Sequence, residues 1–234
     1  MSTALAERIQ VLKAALAETL PAERLIDDPL RTLAYGTDAS FYRLIPKLVV
    51  RPEREDELQR VLAECRARRI PVTFRAAGTS LSGQAVTDSV LIQLGRGWRG
   101  HEILDAGRAI RLQPGVIGAR ANQLLAPFGR KIGPDPASIN SCMIGGIAAN
   151  NASGMCCGTA QNSYRTLRDL RVILADGTLL DTADPASREA FRRSHAGLVE
   201  GLERLSAETR ANAALAEKIR HKYRLKNTLS LIHI

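Results

Sequence analysis

The chain has 234 residues, of which 45% are hydrophobic and 24% are charged. It is long enough to bury a core as one large or two small domains, and this composition excludes an intrinsically disordered chain. No stretch of eighteen uncharged apolar residues occurs, which excludes a membrane-spanning helix. The net charge of +9 is compatible with nucleic acid, an anionic membrane or a phosphate-bearing ligand, but the basic residues are scattered and only four Tyr, four Phe and one Trp can stack on bases. We therefore expect no nucleic-acid partner.

The first twenty residues lack the apolar core of a signal peptide because charged residues interrupt them. These residues are Glu7, Arg8, Lys13 and Glu18. We therefore expect a cytoplasmic protein and leave peripheral contact with a membrane surface open. The cysteines form neither a C-x-x-C pair nor a zinc site with histidines, so we expect reduced thiols and no bound metal. They are Cys65, Cys142, Cys156 and Cys157.

The N-terminal segment predicts an amphipathic helix that ends at Pro21. Its apolar residues recur at spacings of three and four and are Leu5, Ile9, Leu12, Leu16 and Leu20. Residues 21–46 show little periodicity and predict irregular structure, with a turn at Tyr35–Asp38. We take residues 1–35 as an N-terminal helical segment and residues 36–234 as the main domain.

A β-α-β unit is predicted between residues 48 and 75. Leu48–Val50 is a short apolar run typical of a buried strand, and the acidic residues after Pro52 suit the start of a helix. Apolar residues then repeat at helical spacing as far as Cys65, and Pro71–Arg75 predicts a second strand. Such units are most simply parallel and right-handed.

The second strand is followed by a loop of glycines and small hydroxyl residues, Ala76–Gln84, which we call the first glycine loop. Such a loop can turn successive backbone N–H groups toward an anion, which favours a phosphate site over an ordinary glycine turn. The candidate contacts are Gly78, Thr79, Ser80, Leu81, Ser82 and Gly83. The glycine spacing is that of a P-loop, but Gln84 and Ala85 stand where that motif needs Lys and Ser or Thr. An ATPase site is therefore excluded.

A second glycine pattern, Gly95–Gly100, matches the dinucleotide fingerprint G-x-G-x-x-G letter for letter. In that fold a helix begins within the glycines. Here residues 101–105 and 109–113 predict two strands around a turn at residues 106–108. We therefore reject a nicotinamide site at this position.

Small residues are densest between residues 133 and 154, which we call the second glycine segment and which follow a predicted helix at 117–128. Small residues let the backbone approach a flat ligand closely, and the polar ones among them offer hydrogen bonds. The candidate contacts are Pro134, Asp135, Pro136, Gly145, Gly146, Asn150, Asn151, Ser153 and Gly154.

The C-terminal part predicts a hairpin followed by helices. Residues 171–181 alternate around the turn Asp176–Gly177, which is a strong hairpin signal. Residues 185–227 have a polar, helical composition. The expected packing residues in these helices are Leu198, Leu202, Leu205, Leu215 and Ile219.

Three segments together resemble a known family of flavoproteins: KLVVRPEREDELQRVLAECRARRIPVTFRAAGTSLSGQ, RKIGPDPASINSCMIGGIAANNASGMCCGT and LRDLRVILADG. They are similar to the FAD-binding domain of the p-cresol methylhydroxylase/vanillyl-alcohol oxidase type. Within that superfamily they look most like the D-lactate and D-2-hydroxyglutarate dehydrogenases, which add a cap domain and, in long members, a C-terminal iron–sulfur domain. The likeness covers about residues 36–228.

The resemblance implies an α+β fold: a two-lobed FAD-binding domain with an N-terminal helix and a C-terminal helical segment. The lobes would span about residues 47–105 and 109–182, with a helical insertion at about 185–227. FAD would lie between the lobes, with the first glycine loop around its pyrophosphate. The second glycine segment would line the flavin and the rest of the dinucleotide. Because the first glycine loop contains no His or Cys, we expect noncovalent FAD.

The resemblance further implies oxidation of a D-2-hydroxy acid, such as D-lactate or D-2-hydroxyglutarate, by hydride transfer to flavin N5. The electron acceptor would be a carrier other than O2. In these relatives the substrate-binding groups lie largely on the cap domain, so no catalytic residue is assigned here. The histidines are expected to be solvated or structural and are His101, His195, His221 and His233. The residues alone leave one alternative, a basic nucleotide- or nucleic-acid-binding module without redox activity.

Adjacent Cys156 and Cys157 supply only two thiols, so we expect buried small residues near the flavin and no iron–sulfur ligands here. An iron–sulfur cluster would belong to the C-terminal part of the longer relatives. Where those relatives continue with a Thr-Gly-rich stretch, this chain ends in the apolar residues Leu229–Ile234. We therefore expect a truncated FAD domain with a tail that could be non-native, and no turnover by residues 1–234 alone.

Overall fold

The computed structural model describes residues 3–154 and 156–225. Its helices are α1 (Thr3–Leu16), α2 (Pro29–Ala34), α3 (Glu55–Ala67), α4 (Gly118–Leu125), α5 (Ile144–Ala149), α6 (Ser163–Thr166), α7 (Pro185–Ser194), α8 (Ala196–Ala211) and α9 (Ala213–Tyr223). Its strands are β1 (Leu25–Ile26), β2 (Leu48–Val50), β3 (Val72–Arg75), β4 (Val90–Gln93), β5 (His101–Leu104), β6 (Ala109–Leu112), β7 (Arg171–Ile173) and β8 (Leu179–Asp181). The α+β prediction is confirmed. None of the helices so described is long and apolar enough to cross a bilayer.

A four-stranded sheet in the order β1-β2-β4-β3, here called the central sheet, organises the N-terminal half. β2 and β3 both run parallel to β4, which lies between them. The predicted β-α-β unit is therefore parallel, although its two strands are not neighbours. β1 pairs antiparallel with β2 at one edge. Because parallel strands end at the same edge of a sheet, the chain leaves β2, β3 and β4 on one side of the molecule.

Helices α1 and α3 cover one face of the central sheet. Leu12 of α1 and Val61 of α3 are fully buried against the sheet residues Val50 and Ile92. Val49, which points the other way along β2, is equally buried on the opposite face. This explains why the strands are continuous apolar runs: both faces of a parallel sheet are covered.

Residues 21–46 are more regular than the sequence predicts. They contain β1 and α2, and α2 is capped by Asp28, whose Oδ1 accepts the N–H of Arg31 at 2.8 Å. The prediction of irregular structure is wrong because a two-residue strand and a six-residue helix are too short to show periodicity. The first helix also ends earlier than predicted, at Leu16, although Leu20 is still buried.

Both predicted hairpins are confirmed, β5–β6 and β7–β8. The second hairpin is fixed to α3 by two polar contacts. Arg171 forms two hydrogen bonds of 2.8 Å with the carboxylate of Glu55, and Gln59 Nε2 donates to Gly177 O at 2.7 Å. The hydrogen bonds from Arg171, together with its positive charge, lower the pKa of Glu55. The hairpin is thereby tied to the helical layer of the central sheet.

The C-terminal helices α7, α8 and α9 are confirmed as helices, but they bury none of their residues. The expected packing residues are 38–60% exposed, so that prediction is wrong. They are Leu198, Leu202, Leu205, Leu215 and Ile219. The physical reason is that α7 packs mainly on β8, and α8 on α7 and α9, so their main packing partners lie outside the central sheet. Residues 226 and 227 of the predicted helical segment lie outside the described residues.

Replacing Leu12 with Ala should lower the free energy of unfolding by about 2–5 kcal/mol, because it leaves a cavity between α1 and the sheet. Urea unfolding followed by circular dichroism measures this. Val11→Ala is the matched control, since the neighbouring Val11 is 58% exposed and should change stability by less than about 0.5 kcal/mol. Equal effects of the two substitutions would show that α1 does not belong to the core.

Asp176 joins the β7–β8 turn to the C-terminal helices. Its carboxylate accepts the N–H of Thr178 at 2.9 Å and lies 2.8 Å from His195 Nε2, and these hydrogen bonds lower the pKa of Asp176 to about 2. Because the folded-state pKa lies below the ordinary value of 3.8, this stabilisation is complete above that pH and is lost as the pH falls toward 2.

Asp176→Asn should therefore cost stability at neutral pH and lose less on acidification, so that its urea midpoint and that of the unsubstituted chain converge toward pH 2. Asp88→Asn is the control, because Asp88 is exposed and has no partner among the described residues. Its profile should run parallel to that of the unsubstituted chain. A parallel profile for Asp176→Asn would contradict the assignment.

Candidate functional site

The first glycine loop connects β3 to β4 and presents a series of unpaired backbone N–H groups. Gly78 and Gly83 have φ angles of +72° and +70°, a region that glycine adopts without strain. Ser80 Oγ accepts the N–H groups of Ser82 and Gln84 at 3.1 and 3.3 Å, which holds the loop in a compact turn. Within the described part of the chain, no acceptor is bonded to the amides of Gly78, Thr79, Ser80, Leu81 and Gly83. These amides are the kind of donors that a phosphate accepts.

Residues 37–42 support this loop from an unexpected part of the sequence. Asp38 Oδ2 accepts the N–H of Ala85 at 3.4 Å, just beyond the loop. The ring of Tyr42 packs on Gly83, where a Cβ would lie 2.7 Å from Tyr42 Cδ2. Gly83 is therefore required both by its positive φ and by the aromatic ring beside it.

A cavity of about 320 Å³ opens between this supporting segment and the loop. It is lined by Tyr42, Arg43, Leu44, Ser82, Gly83 and Val86. Apolar walls with one cationic side chain suit part of an anionic organic ligand such as a nucleotide. Because two loop residues line it, the cavity belongs to the same candidate site.

The two ends of the second glycine segment are held side by side. Asp135 and Gly154 form a parallel bridge, and the Asp135 N–H donates to Ser153 O at 2.6 Å. Gly154 has a φ of +135°, and a Cβ there would overlap the carbonyl of Asp135. Glycine at position 154 is therefore required by packing alone. Pro134 is buried and Pro136 is half-buried beside this bridge.

Helix α5 brings the second glycine segment against the first glycine loop. The Gly145 N–H donates to Pro114 O at 2.9 Å, and a Cβ at Gly145 would lie 2.8 Å from Pro114 Cβ. A Cβ at Gly146, in contrast, would meet only the Cβ of Ala76, at the ordinary contact distance of 3.8 Å. Ala76 opens the first glycine loop. The structure thus places the two predicted segments close together and leaves space between Gly146 and Ala76.

The polar residues of the second glycine segment are partly used by the protein itself. The N–H of Asn150 ends α5 by donating to Gly146 O at 3.1 Å, and its side chain has no partner among the described residues. Asn151 Oδ1 accepts the N–H of Tyr164 at 3.0 Å, which leaves its amide nitrogen for a ligand. Ser153 is buried. The ligand contacts predicted for these residues stay predictions.

The glycines at 95–100 serve packing. A short 3-10 turn at Arg96–Trp98 leads directly into β5, and no helix begins there, as the sequence analysis expects. Trp98 is buried and its Nε1 donates to Pro52 O at 2.7 Å. A Cβ at Gly97 would lie 2.6 Å from Glu53 Cβ, so this glycine is needed for the close approach of two chain segments.

The adjacent cysteines differ in environment. Cys157 is buried with its Sγ 3.6 Å from Gly154 O, whereas Cys156 is exposed. The expectation of two buried thiols is therefore wrong for Cys156, because consecutive side chains in a turn point in different directions. No group of three or more metal-binding side chains occurs among residues 3–154 and 156–225.

None of the histidines that the structure describes has a side-chain hydrogen bond to either glycine segment. His195 is stacked on Phe191 at 4.4 Å and is bonded to Asp176, so it holds α7 on the β7–β8 turn. His101 and His221 are exposed. His233 lies outside the described residues.

Sequence reasoning missed three residues of the candidate site: Asp38, Tyr42 and Arg75. Asp38 and Tyr42 fall in the stretch expected to be irregular, and the sequence predicts Arg75 only as the end of a strand. Arg75 Nη1 donates to Thr37 O at 2.7 Å across 38 positions of sequence. No local spacing signals a contact between such distant residues.

The model of a protein family described as an FAD binding domain matches residues 46–183 of this chain. The chain belongs to this family. The resemblance to FAD-binding domains of the p-cresol methylhydroxylase type is thereby confirmed, as is the fold class. The matched residues include both glycine segments and the β7–β8 hairpin.

Curated relatives include glycolate oxidase subunit GlcD of Escherichia coli, 35% identical over 77% of this chain and 36% of that protein. D-2-hydroxyglutarate dehydrogenase of Escherichia coli is 30% identical over 64% of this chain and 15% of that protein. The chain thus spans about a third or less of the length of these relatives. Among solved structures, 4-ethylphenol oxidase from Gulosibacter chungangensis shares the fold with a TM-score of 0.62 at 21% identity, over 75% of this chain and 35% of that one.

The residues present fit FAD. The unpaired amides of the first glycine loop supply donors for a diphosphate, and the space at Gly146 supplies room beside Ala76 for a flat group. The cavity beside Gly83 adds volume at the other side of the loop. None of the six residues Gly78–Gly83 can form a covalent flavin link through His or Cys.

Gly83→Val should abolish flavin retention while the chain stays folded, because the new side chain meets Tyr42 and forces the loop from its positive φ. Flavin absorbance after desalting and the thermal midpoint measure the two effects. Gly129→Val is the control: Gly129 has a similar φ of +66°, but nothing lies within 4 Å of its Cβ position. Retained flavin in Gly83→Val would remove this loop from the site.

Proposed function

We propose that this chain is the flavin-binding part of an FAD-dependent oxidoreductase that oxidises a D-2-hydroxy acid. The observation that carries the proposal is the meeting of two glycine segments, with unpaired amides on one side and open space at Gly146 on the other. The family match supports FAD as the ligand. The names of the relatives, a glycolate oxidase subunit and a D-2-hydroxyglutarate dehydrogenase, support a 2-hydroxy acid as the substrate class.

We propose different roles for the two glycine segments, because they offer different groups to the dinucleotide. The amides of the first glycine loop would hold the pyrophosphate, and Gly145–Gly154 would line the flavin and the rest of the dinucleotide. When bound, the flavin supplies a hydride acceptor, while the protein binds and orients it and limits the access of water. FAD would be held without a covalent bond. No side chain in the described residues is assigned as the base for the substrate hydroxyl.

The substrate-binding groups would come from outside the flavin-binding part, since the shared stretch is about a third or less of the length of the relatives. D-Lactate and D-2-hydroxyglutarate are the first acids to test, with glycolate beside them. The electron acceptor is proposed to be a carrier other than O2, and an iron–sulfur cluster would lie beyond this chain.

The proposal is tested by flavin content. The purified chain, incubated with FAD and desalted, should keep the absorption band of bound flavin. Acid precipitation should then release the flavin from the protein, because the proposed link is noncovalent. A colourless protein that instead binds DNA with a steep salt dependence would favour a basic nucleic-acid-binding module. A chain extended to the length of its relatives should reduce a dye with a D-2-hydroxy acid but not with its L-enantiomer.

Gly146→Leu should lower the affinity for FAD by at least about tenfold, because a Leu side chain would fill the space between α5 and Ala76. Titration of the chain with FAD measures the affinity. Gly146→Ala is the matched control, since its Cβ fits at 3.8 Å from Ala76 and the fold should tolerate it. If Gly146→Leu binds FAD as tightly as Gly146→Ala, the flavin does not lie beside this residue.

A further inference from the structure

We propose that Arg75 is a positioning residue that sets the first glycine loop in the conformation needed to receive a diphosphate, and this inference rests on the proposed function. Arg75 is the last residue of β3, immediately before the loop. Its side chain is half-buried. The guanidinium group contacts the chain before, within and after the loop.

The first contact is with the supporting segment. Arg75 Nη1 donates to Thr37 O at 2.7 Å and to Tyr35 O at 3.3 Å. The guanidinium carbon lies 5.9 Å from the centre of the Tyr35 ring, and the Tyr35 hydroxyl donates to Gln93 Oε1 at 2.9 Å. Gln93 is the partner of Arg75 across the β3–β4 ladder. The guanidinium group is thereby held in place from two directions. Its own strand, β3, carries it, and β4 fixes the Tyr35 ring beside it through Gln93.

The second contact is with the loop itself. A Cβ at Gly78 would lie 2.5 Å from Nη2, 2.6 Å from Cζ and 2.8 Å from Nε of Arg75. Three atoms of the planar group at nearly equal distance mean that its face is packed against Gly78. Gly78 O in turn accepts the N–H of Ala39 at 3.0 Å. The guanidinium plane and the supporting segment together hold Gly78 at its positive φ.

The third contact closes the loop at its far end. Arg75 Nη1 lies 3.4 Å from Ala85 O, while the Ala85 N–H donates to Asp38 Oδ2. The peptide units around Ala85 are thus bonded to an acidic and a basic side chain that are themselves neighbours. Because β3 ends at Arg75 and Ala85 follows the loop, one side chain ties the beginning of the loop to its end.

The donors that remain on Arg75 indicate a second effect. Nε and Nη2 have no acceptor among the described residues, and both lie against Gly78. A cation packed against Gly78, the first of the five residues with unpaired loop amides, adds positive potential where a diphosphate would bind. Nη1 alone makes the three carbonyl contacts, while Nε, Cζ and Nη2 form the flat group against Gly78. Lysine could supply the charge but not this flat group.

The test compares Arg75→Lys, Arg75→Met and the control Arg99→Met, whose arginine is exposed and has no side-chain partner among the described residues. The dissociation constant for FAD should rise about tenfold in Arg75→Lys and about a hundredfold in Arg75→Met, and stay unchanged in the control. A further variant, Arg75→Ala, should also lose FAD affinity, and millimolar guanidinium ion should restore that affinity to Arg75→Ala but not to Gly83→Val. A residue needed only for packing would not respond to the free ion.

Hydrogen exchange of the flavin-free chain provides a second readout. The amides of Ala39 and Ala85 should exchange faster in Arg75→Lys, while those of β4 stay protected. Unchanged exchange at both amides overturns the positioning role, whether or not the chain binds FAD. Unchanged FAD affinity in Arg75→Met likewise overturns it while leaving the proposed function intact. If the unsubstituted chain binds no FAD yet exchange rises in Arg75→Lys, the proposed function fails and the role of Arg75 in ordering the loop stands.

Discussion

The structure depends on keeping a run of backbone N–H groups unpaired in the first glycine loop. Unpaired amides are costly when they are buried, so such a loop persists only where water or a ligand can reach it and where other contacts fix its shape. Gly78 and Gly83 provide the turns, and Tyr42 and Arg75 occupy the space on either side of them. The central sheet holds both ends of the loop through β3 and β4. The side chains and strands around the first glycine loop thereby fix its conformation, and its amides remain available to a ligand.

The second requirement is that another part of the chain approaches the loop closely without filling the space beside it. Gly145 meets this by packing on Pro114, and Gly146 by leaving a gap next to Ala76. The two glycines are adjacent but have different reasons to be glycine. The β7–β8 hairpin, bonded to α3 through Arg171 and Glu55, ties the rest of the matched domain to the same sheet. Several packing contacts thus set the distance between the first glycine loop and the second glycine segment. The small residues allow this close approach but do not determine it.

The sequence predicts those features that depend on local patterns. Helical spacing gives α1, α3 and α4, a short apolar run gives β2, and turn residues give both hairpins. Three kinds of feature escape such patterns. β1 forms only because β2 is beside it, and Arg75 contacts carbonyl groups that are distant in sequence. The leucines of α8 recur at helical spacing, yet spacing does not say whether anything covers them. The lobe and domain boundaries proposed from the family resemblance stay predictions.

The strand order has a consequence for how the chain folds. β4 is synthesised after β2 and β3 but must enter between them, so these two strands cannot pair with each other in advance. Until β4 arrives, both expose unpaired edges in apolar runs, which is a condition that favours aggregation. Residues 76–89 carry the chain from the end of β3 back to the start of β4, and they do so without a helix. Closing the sheet and shaping the glycine loop are therefore one event, and a substitution that stiffens this crossover in the wrong conformation would slow folding as well as weaken binding.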